Sequence, residues 1–291
     1  MGLDLEMTQR IVSDLGNLGL RSGDTVLVRC ATKKIRVESG SPAKALFDGI
    51  RETIGPAGTL VALTFTHDFY VWQKQRAAQF PFHPKVKAET GALPQMVLDH
   101  PASVRSRHPT NSFAAIGPNA SAIVQGHDER STSFYPIKNL MDLGGKLLLV
   151  GCVESSPGFS TVHRVQEDLG LADKTLMRGM RMCAVQEGDD IRWFRRNDVA
   201  GCSAGFGKFY DPYQSAGILR TGTVGEAYSI FADAVAAYRV ERQIMEKDPT
   251  AAFCDDPCCT SCGLRTYAPA RMTKFFLSLP LKVARRLSGR A

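Results

Sequence analysis

No apolar run in this 291-residue sequence approaches the length of a bilayer span; the longest, such as LLLV at 147–150, stop after a few residues. The opening MGLDLEMTQR lacks a basic segment followed by an apolar one, so a cytoplasmic protein is expected. Internal repeats and low-complexity tracts are also missing, which removes solenoids and linker-rich chains from consideration. What remains is 44% hydrophobic and 22% charged, enough to bury a large core as one large domain or two tightly packed ones.

Acidic residues disappear after Asp256, while Arg265, Arg271, Lys274, Lys282, Arg285, Arg286 and Arg290 follow it. Those seven cations equal the whole net charge of +7, so residues 1–256 balance at 29 basic and 29 acidic side chains. Basicity therefore belongs to the tail, and nucleic acid is not an expected partner of the body. The final MTKFFLSLPLKVARRLSGRA mixes bulky apolar residues with cations, the composition of an interfacial helix that contacts a membrane surface. The competing reading docks it on the body through Phe275, Phe276 and Leu279, and Pro280 would break it into two short pieces.

Helical spacing over 5–18 precedes a buried strand, TVLVRC, at 25–30. SGSPAKALFDGIRETIG then offers Ser41 as a cap, Pro42 at the first helical position and Gly55 at the end. A second strand, GTLVALTFT, follows, and strand, helix, strand at this spacing implies a right-handed crossover in a parallel sheet. The stretch from His67 to Pro94 has no clean period, and so long a loop in a compact domain lines a site. LPQMVLDH, NASAIVQGH and STVHRVQEDLG read as helices and SFAAIG and KLLLVGC as strands; MCAVQEGDDIRWFRR reads as a hairpin turning at 187–190, and 224–246 as a long helix.

Several phrases occur together in order: LGLRSGDTVLV, ALFDGIRETIGPAGTLVALTFTH, TGALPQMVLDHPASVRSRHPTNSFAAIGPNA, GGKLLLVGC and STVH. This succession resembles the aminoglycoside 3-N-acetyltransferase family of antibiotic N-acetyltransferases over roughly residues 5–235, with RSRHPTNSFAAIGPNA its most specific part. The resemblance implies a three-layer α/β/α fold with a largely parallel central sheet, acetyl-coenzyme A as donor and an amine as acceptor. Beyond the stretch that carries the resemblance, composition alone marks a Cys-rich segment at 251–263 and a basic tail at 264–291, after an expected acetyltransferase domain at 1–250.

Acetyl transfer from a thioester to an amine must hold an anionic pyrophosphate, remove a proton and stabilise an oxyanion. Lys33, Lys34 and Arg36 stand just before the helix that begins near Ser41, and a helix N-terminus binds phosphate. His163 is the candidate base, since imidazole titrates near neutral pH and the family's STVH-like motif carries such a histidine. The resemblance places a carboxylate three residues further on, where this chain has Gln166, so Glu167 and Asp198 compete to support the imidazole. His108, Thr110 and Ser112 form the family's other signature; alternating hydroxyls on a strand share a side, and the resemblance implies that this segment, His108, Thr110 and Ser112, binds coenzyme A with Thr110 the leading contact.

The acceptor is an amine of an aminoglycoside-like molecule or an amino sugar. A polycationic antibiotic calls for carboxylates, yet the long loop carries only Asp68 and Glu89. Cys202 reads as a structural cysteine rather than a covalent acyl carrier. CDDPCCTSCG brings Cys254, Cys258, Cys259 and Cys262 within nine residues, a spacing that suits a structural zinc with one spectator and a ligand from elsewhere, or no metal. Two other classes compete with the transferase: a metal hydrolase using His108, His127 and His163, and a membrane- or nucleic-acid-binding module centred on 257–291.

Overall fold

The computed structural model describes residues 2–36, 40–198 and 202–280. Helix α1 (Gly2–Leu18) buries Ile11 and Leu15 and leads into β1 (Thr25–Cys30). The Ser41 hydroxyl caps α2 (Pro42–Ile54) by accepting from Lys44 N at 3.4 Å, and Gly55 ends that helix at φ +62°. β2 (Thr59–Leu63) then returns parallel to β1 with Val61 opposite Leu27, as the crossover spacing requires. The long aperiodic stretch holds β3 (Phe69–Tyr70), a 3-10 turn (Val71–Gln73) and α3 (Lys74–Ala77) before α4 (Ala92–Asp99), β4 (Val104–Arg105) and β5 (Phe113–Ile116). Helices α5 (Ala120–Val124) and α6 (Tyr135–Asp142) lead to β6 (Lys146–Val150), which pairs with β1 in parallel, and then to α7 (Thr161–Asp168). The hairpin β7 (Arg181–Glu187) and β8 (Asp190–Arg196) is followed by α8 (Tyr210–Ser215), β9 (Arg220–Val224), β10 (Ala227–Asp233) and α9 (Ala234–Lys247). Two short helices, α10 (Thr260–Gly263) and α11 (Pro269–Leu277), complete the described chain.

The main sheet has seven strands in the order β4-β5-β2-β1-β6-β10-β9. β5 and β10 run against the rest, so five of the seven strands share a direction around a parallel centre. Alternation along each strand sends side chains to opposite faces. Leu27, Val61, Leu149 and Ile230 pack on one side with Ile137, Val162 and Ala237 of α6, α7 and α9. Val26, Leu60, Leu148 and Phe231 pack on the other side with Ile11, Leu46 and Val97 of α1, α2 and α4. The result is the three-layer α/β/α arrangement expected. A second, antiparallel sheet of β3, β7 and β8 lies beside it.

The sequence expectation of one helix over 224–246 is corrected. Residues 220–233 form a hairpin with Gly225 at φ +59°, and the helix begins only at Ala234, where the Asp233 carboxylate accepts from Ala236 N at 3.0 Å. Ile230 and Ala232 face one core and Ala227 and Phe231 the other, so a period of two is hidden in a strand that is apolar on both faces. Of the tail residues expected to dock, Phe275 is buried, whereas Phe276 remains 50% and Leu279 38% exposed. Lys282, Arg285, Arg286 and Arg290 lie outside the described residues, and no described helix is long and apolar enough to cross a membrane.

Candidate active site

Strands β1, β2 and β6 all end at the same edge of the sheet, and a cleft of about 430 Å³ opens there. Its walls include Arg29, Ala31, Phe65, Phe134, Ser160 and His163. The long loop contributes Thr90 and Pro94, the lining role that its length suggested.

His163 sits in the first turn of α7, which is entered from β6 through the loop at 151–159. Its imidazole stacks on Phe134 with centroids 4.3 Å apart and meets the edge of Phe206 at 4.8 Å. Nδ1 donates to Gln166 Oε1 at 3.0 Å, which fixes the tautomer and leaves Nε2 as the basic nitrogen. Burial pushes the imidazole down to about 3, partly countered by the Gln166 bond and reinforced by the charges of Arg29, Arg196 and Arg265. The ring is therefore neutral at ordinary pH, with its one proton on Nδ1 and its Nε2 lone pair unprotonated.

The two carboxylates expected beside His163 are engaged elsewhere. Glu167 accepts from Thr132 Oγ1 at 2.7 Å and Phe134 N at 2.8 Å and pairs with Arg164 at 3.2 Å. Burial raises its carboxyl to about 7 despite those bonds. Asp198 accepts from Ser133 N at 2.6 Å and faces Arg196 at 3.6 Å. Both line a second pocket of about 350 Å³, so α7 presents His163 to one cavity and Glu167 to another.

The signature around His108 is also placed differently from expectation. The strand starts at Phe113, so Pro109, Thr110 and Asn111 form a turn and the alternation argued for Thr110 and Ser112 does not apply. Thr110 Oγ1 donates to Asn111 Oδ1 at 2.9 Å, and Ser112 Oγ donates to Thr64 O at 2.7 Å while accepting from Arg105. The Thr110 hydroxyl serves the turn, the Ser112 hydroxyl ties the chain to Thr64 just beyond β2, and neither residue lines the cleft. His108 accepts from Asn111 N at 3.0 Å and stacks on His127 at 4.9 Å. Burial holds both imidazoles down to about 3. With His163 set against Gln166 instead, the three histidines form no metal-ligand group among the described residues, which removes the support for a histidine metal hydrolase.

Lys33 and Lys34 are exposed on the turn after β1, beside Ala31 of the cleft, and Ser41 caps α2 close by in sequence. Arg36 pairs with Glu226 at 3.2 Å. Sequence reasoning passed over Arg29, yet it lines the cleft and donates to Gly158 O at 2.8 Å and to Ser156. The available signal was one cation at the carboxyl end of an otherwise buried strand.

The cysteine group is corrected in one member. Cys202, Cys254, Cys259 and Cys262 bring their Sγ atoms within 4.8 Å of one another. Cys258 turns away, its Sγ lying 3.6 Å from Ser278 O. Adjacent residues point in different directions, and the fourth thiol comes from the segment after β8.

Comparison with known proteins agrees with this architecture. A family model described as aminoglycoside 3-N-acetyltransferase matches residues 27–246. Aminoglycoside N(3)-acetyltransferase VII of Streptomyces paromomycinus is 33% identical over 157 residues, covering 49% of this chain and 54% of that relative, so the match spans about half of the relative's length. The crystal structure of aminoglycoside acetyltransferase AAC(3)-Xa superposes with a TM-score of 0.71 at 28% identity, over 82% of this chain and 92% of that one. AAC-IIIb, solved as a binary complex with CoASH, shares the fold at a TM-score of 0.68 and 24% identity, over 82% and 96% of the two chains. With a family model spanning most of its length and the same layered fold, this chain belongs to the aminoglycoside 3-N-acetyltransferase family.

Proposed function

We propose that this protein transfers an acetyl group from acetyl-coenzyme A to the amine of an aminoglycoside-like or amino-sugar acceptor, with His163 as general base. The observation that carries the reading is a neutral imidazole on the wall of the sheet-edge cleft, its Nδ1 committed to Gln166 and its Nε2 free for a proton. The amine nitrogen attacks the thioester carbonyl, the new C–N bond forms and the C–S bond then breaks. The proton shed by nitrogen goes to Nε2 and leaves with the thiolate or to water. The ring enters the reaction neutral, so Nε2 can accept the proton that nitrogen loses as the tetrahedral adduct forms. Lys33, Lys34 and the N-terminus of α2 at Ser41 supply the positive field for the donor's phosphates, and Arg29 adds a fixed cation inside the cleft.

One observation favours a weakly cationic acceptor over a polycation. Among the described residues that line the cleft around His163 there is Arg29 and no carboxylate. In the long loop, Asp68 is neutralised by Arg181 and Glu89 faces His67 at 3.0 Å. A mono-amino sugar meets less unpaired charge there than an antibiotic with several ammonium groups. The test is an acceptor panel running from mono-amino sugars to polycationic aminoglycosides, read by release of free thiol from acetyl-coenzyme A. His163→Ala is expected to lower turnover at least about 100-fold, the usual worth of a positioned base. Equal turnover in both proteins would remove His163 from the chemistry.

A further inference from the structure

We propose that Cys202, Cys254, Cys259 and Cys262 form a structural zinc site that pins one wall of the His163 cleft to the C-terminal segment. Four thiols drawn from two distant stretches of chain converge within 4.8 Å, and Cys254 Sγ stands 3.7 Å from Cys262 Sγ. A zinc ion with Zn–S bonds of about 2.3 Å places tetrahedral thiolates about 3.8 Å apart, so the four need only small adjustments to bind one ion. An iron–sulfur cluster spreads its ligands around a multi-atom cage and suits this spacing less well. An all-thiolate tetrahedral set leaves no open coordination position, which makes the site structural rather than catalytic.

The surrounding backbone is organised for thiolates. Ala204 N donates to Cys202 Sγ at 3.3 Å. When four thiols lose their protons to solvent and their thiolates bind a dication, the site carries a net charge of −2. Arg265, anchored on the carbonyls of Ser261, Leu171 and Ala172, places its positive charge near Cys259 and Cys262.

The location gives the site its role. Ser203 lines the cleft, Phe206 packs its ring against His163, and Gly205 lies so close to Phe253 that a Cβ there would approach the Phe253 backbone to 2.4 Å. Residues 202–206 and 252–262 thus meet face to face, and a metal across them holds the wall that shapes the imidazole's surroundings. This inference is independent of the acyl-transfer reading, because its evidence is metal content and local protection rather than turnover.

The test is elemental analysis of the full-length protein as purified, and again after removal of metal and titration with zinc ion alone. About one zinc per chain is expected, with cobalt substitution giving the strong visible bands of a tetrahedral thiolate site. Cys202→Ser is expected to lose most of the metal and Cys258→Ser to keep it. Hydrogen exchange should accelerate at 202–206 and 252–262 on demetallation and stay unchanged in α2. A protein that takes up no zinc after reconstitution, or that binds iron in its place, overturns the site; so does a Cys258→Ser variant that loses zinc while Cys202→Ser retains it. Unchanged exchange at 202–206 overturns the pinning role.

Discussion

Gln166 decides how basic His163 can be. A neutral amide fixes the Nδ1–H tautomer but adds no negative charge to favour the imidazolium, and burial then prevails. Gln166→Glu puts a carboxylate at the same reach and is expected to raise the imidazole by about 1 unit or more. The acid limb of the kcat/KM profile should move to higher pH by that amount; a limb that stays in place would show that the amide does not tune the base. The motif singled out His163, but Gln166 was passed over as its partner in favour of Glu167 and Asp198. Positions three and four residues away both neighbour a helical side chain, and only the tertiary surroundings at 132–134 draw Glu167 off. The strand-like alternation of Thr110 and Ser112 was not realised, because Thr110 lies in a buried turn and bonds Asn111 while Ser112 bonds Thr64 O.

At the scale of elements, α7 is held by a buried carboxyl on α9. Glu241 accepts from Thr161 Oγ1 at 2.6 Å and from the Tyr213 hydroxyl, tying the first turn of α7 to α8 and α9 directly beneath His163. Burial raises this carboxyl to about 8, so it is largely protonated at neutral pH. Glu241→Gln should therefore be nearly neutral at pH 7, whereas Glu241→Ala strands two buried hydroxyls and is expected to cost about 1–3 kcal/mol by denaturant unfolding. Equal stability of the alanine variant and the parent would show that the tie carries no load. The α/β layering was readable from the spacing of strands and helices, and the β10 segment was not. Alanine-rich and apolar on both faces, it satisfies a helical period as easily as a strand, and only its pairing with β6 and β9 settles the matter.

For the molecule as a whole, two sets of buried groups set opposing pH responses. His108, His127 and His163 are held near 3 in the folded chain against an ordinary 6.5, so the unfolded chain binds more protons between those values and stability is lost as pH falls below about 6.5. Glu167 and Glu241 are raised to about 7 and about 8 from 4.5, so the folded chain keeps protons that the unfolded chain releases. Their contribution is full below 4.5 and is lost as pH rises through 7 and 8. Between 4.5 and 6.5 three histidines outweigh two carboxyls, and above 6.5 only the carboxyls act. The thermal midpoint should peak near pH 6.5 and decline toward pH 8, with the decline smaller in Glu241→Gln. A midpoint that climbs from pH 6.5 to pH 8 in the parent protein would contradict these assignments.

The two ends of the main sheet carry a consequence for how copies of the chain meet. One end is β4, only two residues long, and the other is β9, five residues long, with Arg220 exposed and α1 packed alongside. A long, flat and apolar edge would offer its unpaired amides and carbonyls as a template for strand addition. Here one edge is too short to template a partner and the other is guarded by a cation, so the main sheet resists edge-to-edge pairing while keeping the cleft-bearing strand ends open.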